Sequence, residues 1–251
     1  RKNMRPNKRL GQNFLSDKKI LAKILEAGEI SPSDVVLEVG PGKGSLTELL
    51  ASQAKRVIAV EKDARLAAWL KEHKTWKNVE IIHADILKIP TPYALISTPY
   101  KVIANIPYYI TSRFLKNFLT AKHKPGLMVL MVQYEVAKRI TARPGEMNLL
   151  ALSVQAFGKP KMIAKVPRRY FRPHPKVDSA IIKISDISDK WFKDNGLHEE
   201  KLFFFLKKAF QQKRKMLSRS LGIKNLPVEY RSARPQELSL DDWKEILRQV
   251  S

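Results

Sequence analysis

Short apolar or β-branched runs recur along the chain: VVLEV at 35–39, RVIAV at 56–60, VEIIH at 79–83, KVIA at 101–104 and LMVLMV at 127–132. Between the early runs lie stretches whose apolar residues return every three to four positions, such as SLTELLASQA and ARLAAWLKEH. Buried strands alternating with helices predict a parallel sheet covered by helices on both faces. Two later runs, KMIAKV at 161–166 and SAIIKI at 179–184, are expected to close it. Upstream, SDKKILAKILEAG (16–28) has a capping serine, Ile20, Leu21, Ile24 and Leu25 on one face and a terminal glycine, which predicts a short helix.

From about residue 187 the pattern changes. HEEKLFFFLKKAFQQKRKMLSRSLG and SLDDWKEILRQV both read as helices. The expected architecture is therefore α/β, with a Rossmann-like domain over 1–187 and a small all-helical domain over 188–251. In the first C-terminal helix, Phe203, Leu206, Phe210, Leu217 and Leu221 fall on one stripe, and Lys208, Lys215 and Arg219 project from the opposite face. The apolar stripe is ordinary core. The basic face, with Lys213, Arg214 and Lys224 beside it, is expected to contact nucleic acid rather than only water.

Charge sharpens that expectation. Lys and Arg total 47 against 24 Asp and Glu, a net charge of +23 with a pI of about 10.1. Such an excess points to a polyanionic partner, and nucleic acid is favoured over an anionic membrane. The first ten residues, with five cations in RKNMRPNKR, read as a flexible basic arm and not as a signal or transit peptide. No apolar run approaches the ~20 residues of a membrane span. Cysteine is absent, and the five histidines form no HxxxH pair, so a disulfide framework and a metal site are not expected. The chain is expected to be soluble, cytoplasmic and monomeric.

The chemistry is carried by strand ends. LEVGPGKGSLTELL (37–50) places Gly40, Gly42 and Gly44 between a strand and a helix, where a ligand can approach the backbone closely. About twenty residues on, Glu61 in VIAVEKD is placed to accept hydrogen bonds from two ribose hydroxyls, and Asp85 in HADI to bind an adenine amino group. For both acids the competing reading is helix N-capping. Glu38 and Lys43 are given no ligand role. No GKS/T phosphate loop is present, which disfavours nucleoside triphosphate hydrolysis, while a nicotinamide dehydrogenase stays open from the fold alone.

At the end of the fourth strand stands Asn105-Ile106-Pro107-Tyr108. Pro107 fixes its own φ and holds Ile106 extended, so the Asn105 side-chain oxygen and the Ile106 carbonyl become two rigid acceptors. Two acceptors suit one NH₂ group. An exocyclic adenine amine is a poor nucleophile because its lone pair is delocalised, and bonding both protons favours a tetrahedral nitrogen ready to attack. Tyr108 offers a face for the extruded base. The matching electrophile is the sulfonium methyl of S-adenosylmethionine, and no general base is required. A plain turn with a rim aromatic is the competing reading.

GQNFL (11–15), VLEVGPGKGSLTELL, VIAVEKD, residues 105–108 and FRPHPKVDSAI (171–181) together resemble the ribosomal RNA adenine N6,N6-dimethyltransferase family. The resemblance runs from Gly11 through LKKAFQQKRKMLSRSLG. It is closest to the small-subunit branch, which dimethylates two adjacent adenosines near the 3′ end of 16S-type RNA within a ribosomal particle. It implies that Gln12, Asn13 and Leu15 join Gly40, Gly42, Glu61, Asp85 and Asn105 around the cofactor, and that Phe171 closes over the base opposite Tyr108. A core role is the competing reading of Phe171. Tyr109 stands where many relatives carry Asn. The alternatives to a small-subunit enzyme are a large-subunit rRNA dimethyltransferase, a DNA adenine methyltransferase and a ribosome-assembly factor without turnover.

Overall fold

Continuous apolar runs bounded by turn residues satisfy a strand buried on both faces. In the computed structural model, which describes residues 6–7, 10–89, 96, 99–212, 214–223 and 226–250, all seven runs named above are strands. They are β1 (Val35–Val39), β2 (Arg56–Glu61), β3 (Val79–His83), β4 (Lys101–Asn105), β5 (Leu127–Gln133), β6 (Lys159–Val166) and β7 (Ser179–Ser185). One seven-stranded sheet holds them in the order β3-β2-β1-β4-β5-β7-β6. The pairs β3/β2, β2/β1, β1/β4 and β4/β5 are parallel.

The sheet departs from the all-parallel expectation at β7, which runs antiparallel to β5, with Met128 opposite Ile184 and Gln133 opposite Ser179. Residues 167–178 before it hold only a 3₁₀ turn and a two-residue strand. That connection from β6 holds no crossover helix of the kind a parallel return to a neighbouring strand uses.

Helix α1 (Lys18–Gly28) buries Ile20, Leu21 and Ile24, and is capped by Asp17 rather than Ser16: the Asp17 carboxylate accepts from Ile20 N at 3.0 Å. Helices α2 (Ser45–Gln53) and α3 (Ala64–His73) follow β1 and β2. Gly44, at the start of α2, has φ +80, and a Cβ there would lie 2.7 Å from the Trp76 ring and 3.0 Å from Leu70. Gly44→Ala is expected to cost about 2 kcal/mol from backbone strain and overpacking, a fall in melting temperature of roughly 4–8 °C. An unchanged melting temperature would show that the turn relaxes freely.

The chain forms two compact units, Arg1–Ala137 with Lys161–Ile187, and Lys138–Pro160 with Ser188–Ser251. Residues 138–160 lie within the stretch that the sequence reading gave to the first domain, yet they group with the helical unit. Helix α4 (Thr111–Leu119) belongs to the first unit, and α5 (Tyr134–Ile140) runs from one into the other. In the second unit α6 (Leu149–Gln155) packs on α8 (Glu199–Gln211), and the Gln236 carbonyl accepts from Gly145 N and Met147 N. Phe157 stacks with Phe203 and meets Phe192 of α7 (Lys190–Asn195).

The long C-terminal helix expected from the sequence is broken. Helix α8 ends at Gln211, and α9 (Leu217–Leu221) begins after a connection in which Lys215 N bonds Gln212 O and Leu217 N bonds Ala233 O. Leu206, Leu217 and Leu221 are buried as expected, with Phe203 and Phe210 half-buried. Lys208, Lys215 and Arg219 are all exposed, but they stand on α8, the connection and α9 respectively, not on one helical face. Arg214 is exposed in the same connection, whereas Lys213, Lys224 and most of the basic arm lie outside the described residues. Past α10 (Val228–Arg231), α11 (Leu240–Gln249) starts at a Ser239/Asp242 capping box and buries Trp243, Ile246 and Leu247. Among the described residues no helix is long and apolar enough to cross a membrane, and no group of His, Cys, Asp or Glu is arranged to hold a metal ion.

Candidate active site

Because β1 to β4 are parallel and adjacent, their carboxyl ends share one edge, where ligands of open α/β sheets collect. A cleft of about 550 Å³ opens there within the first unit. Its wall includes Asp85 after β3, Glu61 at the end of β2, Glu38 and the turn Gly40–Lys43 after β1, and Asn105 to Ile110 after β4. Residues 10–16 line another side.

Glu61 is buried and held by the turn it faces. Its Oε2 accepts from Gly42 N at 3.1 Å and its Oε1 from Asp63 N at 2.9 Å. Burial pushes its carboxyl above the usual range, partly opposed by those N–H groups. Each oxygen keeps a further lone pair for a hydroxyl donor. Gly40 and Gly42 have φ +76 and +59, and a Cβ on Gly40 would meet only the Asn105 carbonyl oxygen, at 3.4 Å. At Gly40 the turn therefore leaves its backbone open to a ligand, whereas the Phe14 ring lies 3.0 Å from where a Cβ on Gly42 would stand.

Asp85 makes the cap of its competing reading and also lines the cleft. Its Oδ1 caps a 3₁₀ turn by accepting from Leu87 N at 3.0 Å, while Oδ2 pairs with Lys62 Nζ at 2.9 Å. Burial raises its carboxyl, but the Lys62 ammonium and the Leu87 N–H outweigh that and leave it below the ordinary value. Lys62, next to Glu61 in EKD, was overlooked in the sequence because its partner is on another strand.

The end of β4 is tied to the N-terminal segment. Asn105 Nδ2 donates to the Asn13 carbonyl at 3.2 Å, which turns Oδ1 into the free acceptor of that amide. Pro107 has φ −57 and ψ 134, and Ile106 is buried. Tyr108 is half-buried, with its hydroxyl 2.6 Å from Ser179 Oγ, and burial raises its phenol. Ser179, the first residue of β7, is thus an anchor that the sequence reading missed, although it sits in the quoted PKVDSA. Tyr109 is 64% exposed and its ring approaches Gly11.

Gln12, Asn13 and Leu15 all line the cleft. Gln12 Nε2 donates to Asp63 Oδ2 at 2.9 Å, and Asp63, bonded chiefly by Arg65, is held down at about 2. Gln12 thereby fastens the N-terminal segment to the residue whose N–H orients Glu61.

Phe171 differs from expectation. It is 1% exposed, pairs with Leu15 in a two-residue antiparallel ladder, and packs with Val166 and Ile181 in the core. Its ring offers no face to a base in this arrangement, so the structure supports the core reading. Its neighbours Arg172 and Pro173 line the cleft instead.

The strand order, the glycine turn after β1, the acid ending β2 and the Asn-Ile-Pro-Tyr corner after β4 define a Rossmann-like methyltransferase. The chain belongs to the ribosomal RNA adenine dimethylase family, whose sequence model matches residues 3–244. It is 43% identical to the ribosomal RNA small subunit methyltransferase A of Dehalococcoides mccartyi, over 96% of this chain and 87% of that protein. Among solved structures, a dimethyladenosine transferase from Plasmodium falciparum superposes with a TM-score of 0.82 at 27% identity, covering 93% of this chain and 95% of its own. The 23S rRNA methyltransferase ErmE does so with a TM-score of 0.78 at 28% identity, covering 95% and 99%.

Proposed function

We propose that this protein transfers methyl groups from S-adenosylmethionine to N6 of two adjacent adenosines near the 3′ end of small-subunit ribosomal RNA, giving N6,N6-dimethyladenosine. The observation that carries this reading is the corner after β4, where the Asn105 amide nitrogen is committed to Asn13 O, which leaves its oxygen as the acceptor, and where Asn105 and Ile106 both line the cleft. The likeness to a small subunit methyltransferase A at 43% identity supports the choice of subunit.

The residues present fit the cofactor: an open glycine turn, a fixed acid at the ribose position and a second acid beside Lys62. When bound, S-adenosylmethionine supplies a methyl group on a positively charged sulfur. Glu61 is positioned to bind the ribose hydroxyls, and Asp85 the adenine edge. Asn105 Oδ1 and the Ile106 carbonyl hold the two N6 protons of the target, while Tyr108, braced by Ser179, stacks on its ring. The proton lost after transfer passes to solvent. The second unit, with Lys208, Lys215 and Arg219 exposed, binds RNA phosphates in the cytoplasm. One chain supplies every residue named in the cleft, so a monomer suffices.

Two tests separate these roles. Labelled cofactor should methylate unmodified small ribosomal subunits in preference to large subunits or duplex DNA. Preferential labelling of large subunits would favour the ErmE-like alternative, and the absence of any transfer an assembly factor. Glu61→Ala should weaken S-adenosylmethionine binding by about 2–3 kcal/mol, for two lost hydrogen bonds to a carboxylate, or roughly 30- to 150-fold. Wild-type affinity by calorimetry in a folded variant would remove Glu61 from the site.

A further inference from the structure

Tyr108 and Tyr109 are successive residues of one 3₁₀ turn, Tyr108–Ile110. At three residues per turn their side chains leave the backbone about 120° apart, so the two rings cannot serve the same base. Tyr108 is half-buried, with its hydroxyl on Ser179, whereas Tyr109 is 64% exposed and lines the cleft. Among the described residues of the first unit, Tyr109 is the only exposed Phe, Trp or Tyr. Its ring is nevertheless steadied. Cε1 and Cδ1 lie 3.6 and 3.8 Å from where a Cβ on Gly11 would stand, and Gly11, at φ +63, has no side chain to push the ring away.

We propose that Tyr109 is a substrate-binding residue whose ring stacks on the base immediately beside the target adenosine and so holds the strand in its extruded form. This rests on reading the cleft as the site of adenosine methylation. Drawing one adenine out of a stack takes a stacking partner from the base next to it. That base then has an open face, and the ring next to Tyr108 along the turn is Tyr109. Lys62 and Arg172 line the same cleft. The Lys62 ammonium is raised chiefly by its bond to Asp85, with a smaller electrostatic contribution from the Tyr109 phenol, which sets it close to that ring. An exposed aromatic among cations is the make-up of a platform for single-stranded RNA: the charges meet phosphates and the ring meets a base of any kind. For two adjacent adenosines, a strand of fixed polarity brings one member to Tyr109 while the other is in the cleft, and does so in one of the two orders only.

The test reads kcat/KM for methylation of unmodified small ribosomal subunits. Tyr109→Ala should lower it about 5- to 150-fold, the worth of one base–aromatic stack. Tyr109→Phe, which keeps the ring, should stay within about two-fold of the wild type. Affinity for S-adenosylmethionine should stay within about two-fold in both variants, since an independent site is not coupled to the change, and this also shows that they fold. Two further particles carry synthetic 3′-terminal RNA with an abasic residue in place of one or the other member of the adenosine pair. On one of the two, wild type and Tyr109→Ala should be equal within about two-fold, because the ring and the base are lost as a pair. Full activity of Tyr109→Ala on unmodified particles, equal losses in Tyr109→Ala and Tyr109→Phe, a matching loss of cofactor affinity, or an alanine effect that persists on both abasic particles would each overturn the proposal. Should neither abasic particle react, the comparison of Tyr109→Ala with Tyr109→Phe decides alone. Failure of the wild type to methylate unmodified particles at all would remove the methylation reading itself, a distinct result.

Discussion

Asn105→Ala is expected to lower the single-turnover rate of methyl transfer by about 10²–10³-fold at saturating cofactor, the scale of removing one fixed polar group at the reacting centre. RNA affinity should stay within about two-fold, because phosphate contacts dominate it. The reason lies in the corner after β4. Asn105 Nδ2 is held by Asn13 O, and Pro107 fixes the backbone that presents the Ile106 carbonyl. On the proposed reading, deleting the amide removes one of two acceptors for the target amine, and it also removes the bond that ties Asn105 to the N-terminal segment. Saturating cofactor separates the loss of amine orientation from any loss of binding. A near-normal rate under those conditions would mean that the amine is activated by something other than the Asn105 oxygen.

The second large effect concerns RNA. With a net charge of +23, binding to small-subunit RNA should be strongly salt-dependent, with affinity falling roughly 10³- to 10⁵-fold between about 50 and 200 mM salt if six to ten phosphates are engaged. Lys208, Lys215 and Arg219 are exposed on α8, the following connection and α9. Separate segments can reach separate phosphates, so neutralising all three should flatten the slope of log affinity against log salt by about 2–3. S-adenosylmethionine binding should be unaffected, since none of the three lines the cleft. An unchanged slope would place the RNA on other cations of this basic protein.

These effects were legible to different degrees before the structure. The five inner strands could be read because a strand buried on both faces is a continuous apolar run, while the edge strands β3 and β6 are only partly buried; Glu61 and Asn105 end such runs and Asp85 stands just beyond one. Pairings between distant segments could not be read. The Asn105–Asn13 bond spans 92 residues, and the Lys62–Asp85 and Tyr108–Ser179 pairs likewise join separate elements. Phe171 shows the same limit in reverse: only the ladder with Leu15 reveals that its ring is used by the core. The break after α8 falls in QQKRKM, which carries neither Gly nor Pro, so the helical stripe could be extended through it without contradiction. Residues 138–160 group with the helical unit through tertiary bonds to Gln236 that no local pattern announces.

One cleft holds one adenine at a time, so neighbouring adenosines must be presented in turn and each methylated twice. A folded particle exposes them better than a duplex in which they stay stacked. The decisive measurement is therefore mass-spectrometric mapping of small-subunit RNA after unmodified small ribosomal subunits are incubated with the protein and S-adenosylmethionine. N6,N6-dimethyladenosine at two adjacent positions near the 3′ end is the expected result. Dimethyladenosine confined to large-subunit RNA, or its absence from small subunits under permissive salt, would contradict it.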